Sequence, residues 1–99
     1  NFREFAEKSW KLPDNCYDNH YPCIIHGVGL CDEWPLVAYP NRDFSNADYS
    51  ANFEENMTIC VESYVGEVGG KEGIKLEDQF VVTKDGLKQL SSFPYEIDI

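Results

Sequence analysis

Three strand-like runs joined by short turns fill the second half of the chain, and they leave it few folds to choose from. Thr58 to Val65, Ile74 to Thr83 and Leu87 to Leu90 are the runs. The first two are rich in the β-branched and aromatic residues that favour strands. GEVGGKEG, a glycine-rich turn, separates them, and Lys84-Asp85-Gly86 before the third is a hairpin signal. Connections this short join antiparallel neighbours, because a parallel crossover needs a dozen or more residues. An antiparallel meander is therefore expected. Upstream, residues 2 to 10 read as a helix ended by the Leu-Pro of KLPDN. YPCIIHGV is a short β-type run entering a glycine-bearing turn, and residues 36 to 56 carry the Pro, Asn, Asp and Ser of a loop. The expected class is α+β, mainly antiparallel sheet with a flanking helix.

Charge narrows the partners. Eighteen acidic and eight basic residues give a formal charge of −10. Nucleic acid and anionic membranes both need clustered Lys and Arg, so neither is expected as a partner. No apolar run approaches the ~20 residues of a membrane span, and no signal peptide is visible. The four cysteines, Cys16, Cys23, Cys31 and Cys60, form no CxxC pair. Three of them, Cys23, Cys31 and Cys60, sit in apolar segments. They are expected to be reduced, buried residues of a cytoplasmic protein. At 99 residues beginning with Asn1, the chain is one domain at most, and is expected to be a piece of a longer protein.

The chemistry-bearing residues lie in three places: His26 in HGVGLCDEWP, Glu62 in TICVESY and Glu77 in IKLEDQFVV. Alternate residues of a strand share a face, so Thr58, Cys60, Glu62 and Tyr64 go together, as do Lys75, Glu77 and Gln79. Periodicity alone fits ordinary polar faces in water. However, Glu62 follows Ile59, Cys60 and Val61. A buried, unpaired glutamate costs several kcal/mol unless a metal or hydrogen bonds compensate it. One imidazole with several carboxylates suits manganese, iron, cobalt or zinc.

These segments resemble a known pattern, that of the C-terminal half of the creatinase, aminopeptidase P and prolidase superfamily, the pita-bread fold of peptidase family M24. HGVGL at 26–30 resembles its histidine-ligand motif. ENMTICVESYVG at 55–66 resembles its strand G-M-V-x-T-I/V-E-P-G-x-Y, and EGIKLEDQFVVTKDG at 72–86 its strand G-V/I-R-I/L-E-D-x-V/I-L/V-V-T-x-x-G. LKQLSSFP resembles the closing strand. The likeness covers roughly residues 20 to 94. It implies that residues 1–99 are the C-terminal part of an M24-like catalytic domain. It also implies that His26, Glu62 and Glu77 are ligands of a centre of two divalent ions (iron, manganese, zinc or cobalt), with two aspartate ligands upstream of Asn1.

The departures point to a particular chemistry. The peptidases read H-G-I/V-G-L-x-x-H-E-x-P, whereas HGVGL-CDEWP is one residue shorter and puts Asp32 about where their second histidine stands. A histidine can donate a hydrogen bond at neutral pH; a carboxylate can only accept. The Pro-Gly after the first glutamate ligand is absent, and Lys75 replaces the usual arginine. Within the superfamily the segments look most like its dimethylsulfoniopropionate lyases. That implies a metal-dependent β-elimination giving dimethyl sulfide and acrylate, with Asp32 as base and Tyr21 contacting the substrate. Trp34 is only a nearby aromatic, and reads more readily as a partly buried packing residue. The alternatives are an M24-type metallohydrolase, acting on Xaa-Pro peptides or another small zwitterion, and a non-catalytic binding module. The implied partner is a small-molecule substrate, with room for a homodimer of the full-length protein.

Overall fold

The computed structural model describes residues 1–39 and 49–95. Helix α1 spans Phe2–Lys8, and a 3-10 helix spans Asp14–Asn19. Five strands follow: β1 Cys23–Val28, β2 Asp32–Ala38, β3 Thr58–Gly66, β4 Gly73–Thr83 and β5 Gly86–Gln89. They form one sheet in the order β2-β1-β3-β4-β5, and every neighbouring pair is antiparallel.

The meander expected from the turns is β3-β4-β5. Gly69, with φ +78°, supplies the left-handed residue in the turn between β3 and β4. Two expectations need correction. Leu36, Val37 and Ala38, read as the start of a loop, belong to β2, because Val37 pairs with Ile25 of β1 and is fully buried. The 3-10 helix was not expected, and α1 ends at Lys8 rather than residue 10. Residues 40–48 of the expected 36–56 loop lie outside the described residues, as do residues 96–99.

α1 is held from both ends. The Asn1 side chain accepts from Glu4 N–H at 2.8 Å as N-cap, and Lys8 pairs with Glu4 at 2.6 Å. Its Phe2 and Ala6 join Ile25, Val37, Ile59 and Val82 in the core. Phe53 closes this core edge-on against Phe2 and Phe5, at ring-centroid distances of 4.7 and 5.7 Å. Each large apolar side chain buried here contributes about 1.5–3 kcal/mol. The core occupies one face of the sheet, through Ile25, Ile59 and Val82. Residues of opposite parity, His26, Cys60 and Glu62, must therefore point to the other face.

Register makes that second face a site. His26 of β1 lies opposite Cys60 of β3, and Glu62 of β3 opposite Glu77 of β4. On the other side of β1 the β2 register slips between His26 and Gly27, where Trp34 and Pro35 bulge out of the ladder. Proline has no N–H to lose there. The bulge brings the Trp34 backbone so close that a Cβ on Gly27 would lie 2.1 Å from its carbonyl oxygen.

Gly27→Ala should therefore destabilise the β1–β2 pair, since the three atoms in the way, from Trp34 and Glu33, are all backbone. Overpacking of this kind costs about 1–3 kcal/mol or more. Thermal unfolding of the full-length variant should show a midpoint several degrees lower; an unchanged midpoint would contradict the bulge geometry.

Candidate metal centre

Three adjacent strands each contribute to one cluster. His26 Nε2 lies 3.5 Å from Glu62 Oε2 and 3.3 Å from Glu77 Oε1. The Cys60 thiol shares this face, with its sulfur within 4.8 Å of a ring nitrogen of His26 and a carboxylate oxygen of Glu77. His26 and Glu62 are buried, while Glu77 is partly open at its side chain.

The imidazole is oriented by its neighbour. His26 Nδ1 is 2.9 Å from the Gly27 carbonyl oxygen, which can only accept, so Nδ1 carries a proton. Nε2 then faces the two carboxylates. A backbone carbonyl holding the remote nitrogen is the arrangement by which metal-binding imidazoles are fixed in tautomer and direction.

A lone pair and two carboxylates pointing into one space require a cation among them. Lys75 supplies part of the charge, its Nζ lying 3.1 Å from both Glu62 Oε2 and Glu77 Oε2. Its approach to Glu62 lacks hydrogen-bond geometry, and neither Glu62 oxygen has a hydrogen-bond partner among the described residues. Glu62 is only 2% exposed. An orphaned buried acceptor costs about 1–3 kcal/mol, and more if charged. The donor set of one imidazole nitrogen, carboxylate oxygens and a thiol fits a divalent ion, and coordination would remove the orphan.

The ionisation of the cluster shows the same crowding. Burial opposes the charged form of His26, but the Gly27 carbonyl, Asp32, Glu62 and Glu77 outweigh it and raise its pKa above the ordinary value. Burial raises Glu62, helped by the charge of Glu77 and opposed by Lys75. Burial would raise Glu77 too, but the adjacent Lys75 ammonium, 3.1 Å away, and the Cys60 thiol prevail and it is lowered. Burial first, then the neighbouring carboxylates of Glu77, Glu62 and Asp32, push the Cys60 thiol up to about 12. Lys75 is raised, chiefly by its bond to Glu77.

The remaining sequence candidates sit around this cluster at different distances. Asp32 Oδ1 is 3.6 Å from His26 Nδ1, not from the ring nitrogen that meets the glutamates, and its side chain is 73% exposed. Tyr21, just before β1, carries the Lys75 ammonium 4.5 Å from its ring centroid. Trp34 is turned elsewhere. Its ring is exposed and lies 6.0 Å from that of Phe2, which belongs to the core on the opposite face. Two members of the cluster were not among the candidates. From the sequence, Lys75 stands out only as replacing the usual arginine, and Cys60 reads as a buried, reduced thiol. The two-residue spacing of Cys60 from Glu62 was the signal available. Cys31, also read as buried, is exposed in the turn before β2, while Cys16, Cys23 and Cys60 are buried; all four are free thiols.

The antiparallel sheet with a His and two Glu on one face defines the class. Metallopeptidase family M24 matches residues 1–84, and the chain belongs to this family. The chain is 46% identical over 93 residues to dimethylsulfoniopropionate lyase DddP of Roseovarius nubinhibens, covering 94% of the chain and 21% of that protein. It is 51% identical over 76 residues to the protein of the same name from Roseobacter denitrificans, covering 77% and 17%. A Xaa-Pro dipeptidase of Pyrococcus horikoshii is 32% identical over 84 residues, covering 82% and 20%. The chain thus spans about a fifth of the length of the curated relatives it matches. No helix among the described residues is long and apolar enough to cross a membrane.

A proton and a metal ion compete for Nε2, so metal binding should weaken as pH falls. Because the His26 pKa is raised, competition begins at a higher pH than for an ordinary imidazole. Below that pKa, affinity should drop about tenfold per pH unit for each proton displaced. Titrating zinc into the full-length protein across a pH series measures this. Affinity that stays flat from about pH 8 to about pH 6, the usual histidine range, would contradict it.

Proposed function

We propose that this chain is the C-terminal part of the catalytic domain of a metal-dependent dimethylsulfoniopropionate lyase, which makes dimethyl sulfide and acrylate by β-elimination. The observation that carries the reading is the placement of Asp32. An accessible carboxylate stands 3.6 Å from the buried imidazole of His26, where the peptidase pattern has a second histidine. The names of two relatives support the substrate. Exposed apolar side chains on β2 and β4, among them Leu36, Ile74 and Leu76, fit a sheet covered by further chain in the full-length protein.

His26, Glu62 and Glu77 would hold divalent metal, with any further ligands supplied from outside this chain. A bound ion would polarise the substrate carboxylate and stabilise the charge that develops as the neighbouring carbon is deprotonated. Asp32 accepts that proton, for which a carboxylate suffices and an imidazolium would not. The electron pair forms the carbon–carbon double bond as the carbon–sulfur bond breaks. Dimethyl sulfide departs neutral, so no general acid is needed. Tyr21 would offer an aromatic face to the sulfonium, an attraction worth about 0.5–2 kcal/mol, in place of the Lys75 ammonium that lies over the ring. Trp34, turned toward Phe2, would reach substrate only by leaving that contact. The free thiols support the cytoplasm as the compartment.

The second reading, a Xaa-Pro-type metallohydrolase, is favoured by the Pyrococcus relative. One assay separates the two. Full-length protein should release dimethyl sulfide into the headspace from dimethylsulfoniopropionate and leave Xaa-Pro dipeptides intact; the reverse result selects the hydrolase. Asp32→Asn keeps the shape but cannot take a proton. It should lower kcat about 10²–10⁴-fold with metal content unchanged. Undiminished turnover would remove Asp32 from the mechanism.

A further inference from the structure

We propose that Cys60 is a metal ligand of this centre, a sulfur donor beside His26, Glu77 and Glu62 that biases the site toward zinc or another thiophilic divalent ion. The inference rests on the metal centre and not on the identity of the substrate.

Backbone register places the sulfur. Cys60 is the direct cross-strand partner of His26 and stands two residues before Glu62 on the same face of β3. One donor atom from each of His26, Cys60 and Glu77 lies within 4.8 Å of the others, close enough for all three to reach one ion without moving the strands. Cys60 is 2% exposed, and strand parity puts its side chain on the face of His26, opposite the core residue Ile59. An independent observation marks the same space as lacking a partner. Glu62, equally buried, is aimed at His26 and has an oxygen, Oε1, with no hydrogen bond or ion pair among the described residues.

Charge is consistent with a sulfur ligand. Coordination breaks the S–H bond, gives the sulfur lone pair to the metal and releases the proton to solvent. A thiolate and two carboxylates around a dication leave one negative charge unbalanced. The Lys75 ammonium, 3.1 Å from both carboxylates, supplies the positive one. The oxygen of a threonine, which the family pattern has at this position, could not discriminate in the same way. Carboxylate and hydroxyl donors suit manganese and magnesium, whereas thiolate selects zinc and softer ions.

Cobalt(II) reports the ligand directly, because a thiolate bound to it gives a near-ultraviolet sulfur-to-cobalt charge-transfer band that oxygen and nitrogen donors do not. Full-length protein should be stripped of metal and loaded with cobalt(II), beside Cys60→Ser and His26→Ala. The expected result is a charge-transfer band in the native protein that is absent in Cys60→Ser, with visible cobalt bands retained in that variant. Cys60→Ser should also lose about tenfold or more of its preference for zinc over manganese. Bound cobalt without the charge-transfer band, or a band that survives in Cys60→Ser, would overturn the proposal and leave the centre standing. Cobalt binding undiminished by His26→Ala would overturn the centre itself and the ligand with it. Cys60→Thr, closer in shape to the β-branched strand, serves where the serine variant is unstable, with the same outcomes. Dimethyl sulfide release from the same native preparation tests the lyase reading separately.

Discussion

An imidazole lone pair and two carboxylates share one space on the polar face of the sheet, and the rest of the structure holds them there. Groups of this kind do not gather spontaneously. Burying Glu62 without a partner costs free energy, and two adjacent carboxylates repel. Strand pairing enforces the meeting. His26 faces Cys60 across β1 and β3, and Glu62 faces Glu77 across β3 and β4. Ile25, Ile59 and Val82 lock the register from below, because a slip by one residue would send them to solvent. The apolar core on one face is therefore what makes the acidic cluster on the other tolerable.

The β1–β2 hairpin adds the group that distinguishes this chain from a peptidase pattern. The Trp34-Pro35 bulge shifts β2 against β1, and Asp32 ends up opposite Val28, on the side of His26. It remains open to solvent while touching the imidazole through Nδ1. The bulge also turns the Trp34 ring toward Phe2 and away from the cluster, so one local irregularity sorts two neighbouring residues onto opposite faces. Tyr21 reaches the site from the segment between the 3-10 helix and β1. The 3-10 helix before it is fastened to the end of β3 and its turn: the Asn19 side chain donates to the Gly66 carbonyl, and the Val68 N–H donates to the Asn15 carbonyl.

Much of this was legible in the residues, for identifiable reasons. Short turns around Gly69 and at Lys84-Asp85-Gly86 gave away the meander, because loop length decides strand direction. His26, Glu62 and Glu77 could be picked out because each lies in a motif with flanking strand residues. Strand β2 was hidden: its Asp, Glu, Trp and Pro do not alternate, and the bulge destroys the period of two that betrays a strand. Lys75 and Cys60 were hidden for a different reason. Whether a lysine or a thiol joins a site depends on cross-strand neighbours, and pairing partners cannot be read from one strand alone. Cys31 looked buried beside Leu30 but lies in an exposed turn, where local hydrophobicity misleads.

We propose that His26, Glu62 and Glu77 converge to hold a metal ion, with Lys75 outside it as a counter-charge. Anomalous scattering from crystals of the metal-loaded full-length protein tests this most directly. The expected result is an anomalous peak bonded to His26 Nε2 and to both carboxylates, with the Lys75 ammonium on their outer oxygens. A peak elsewhere in the protein, with Lys75 still filling the space between Glu62 and Glu77, would contradict it.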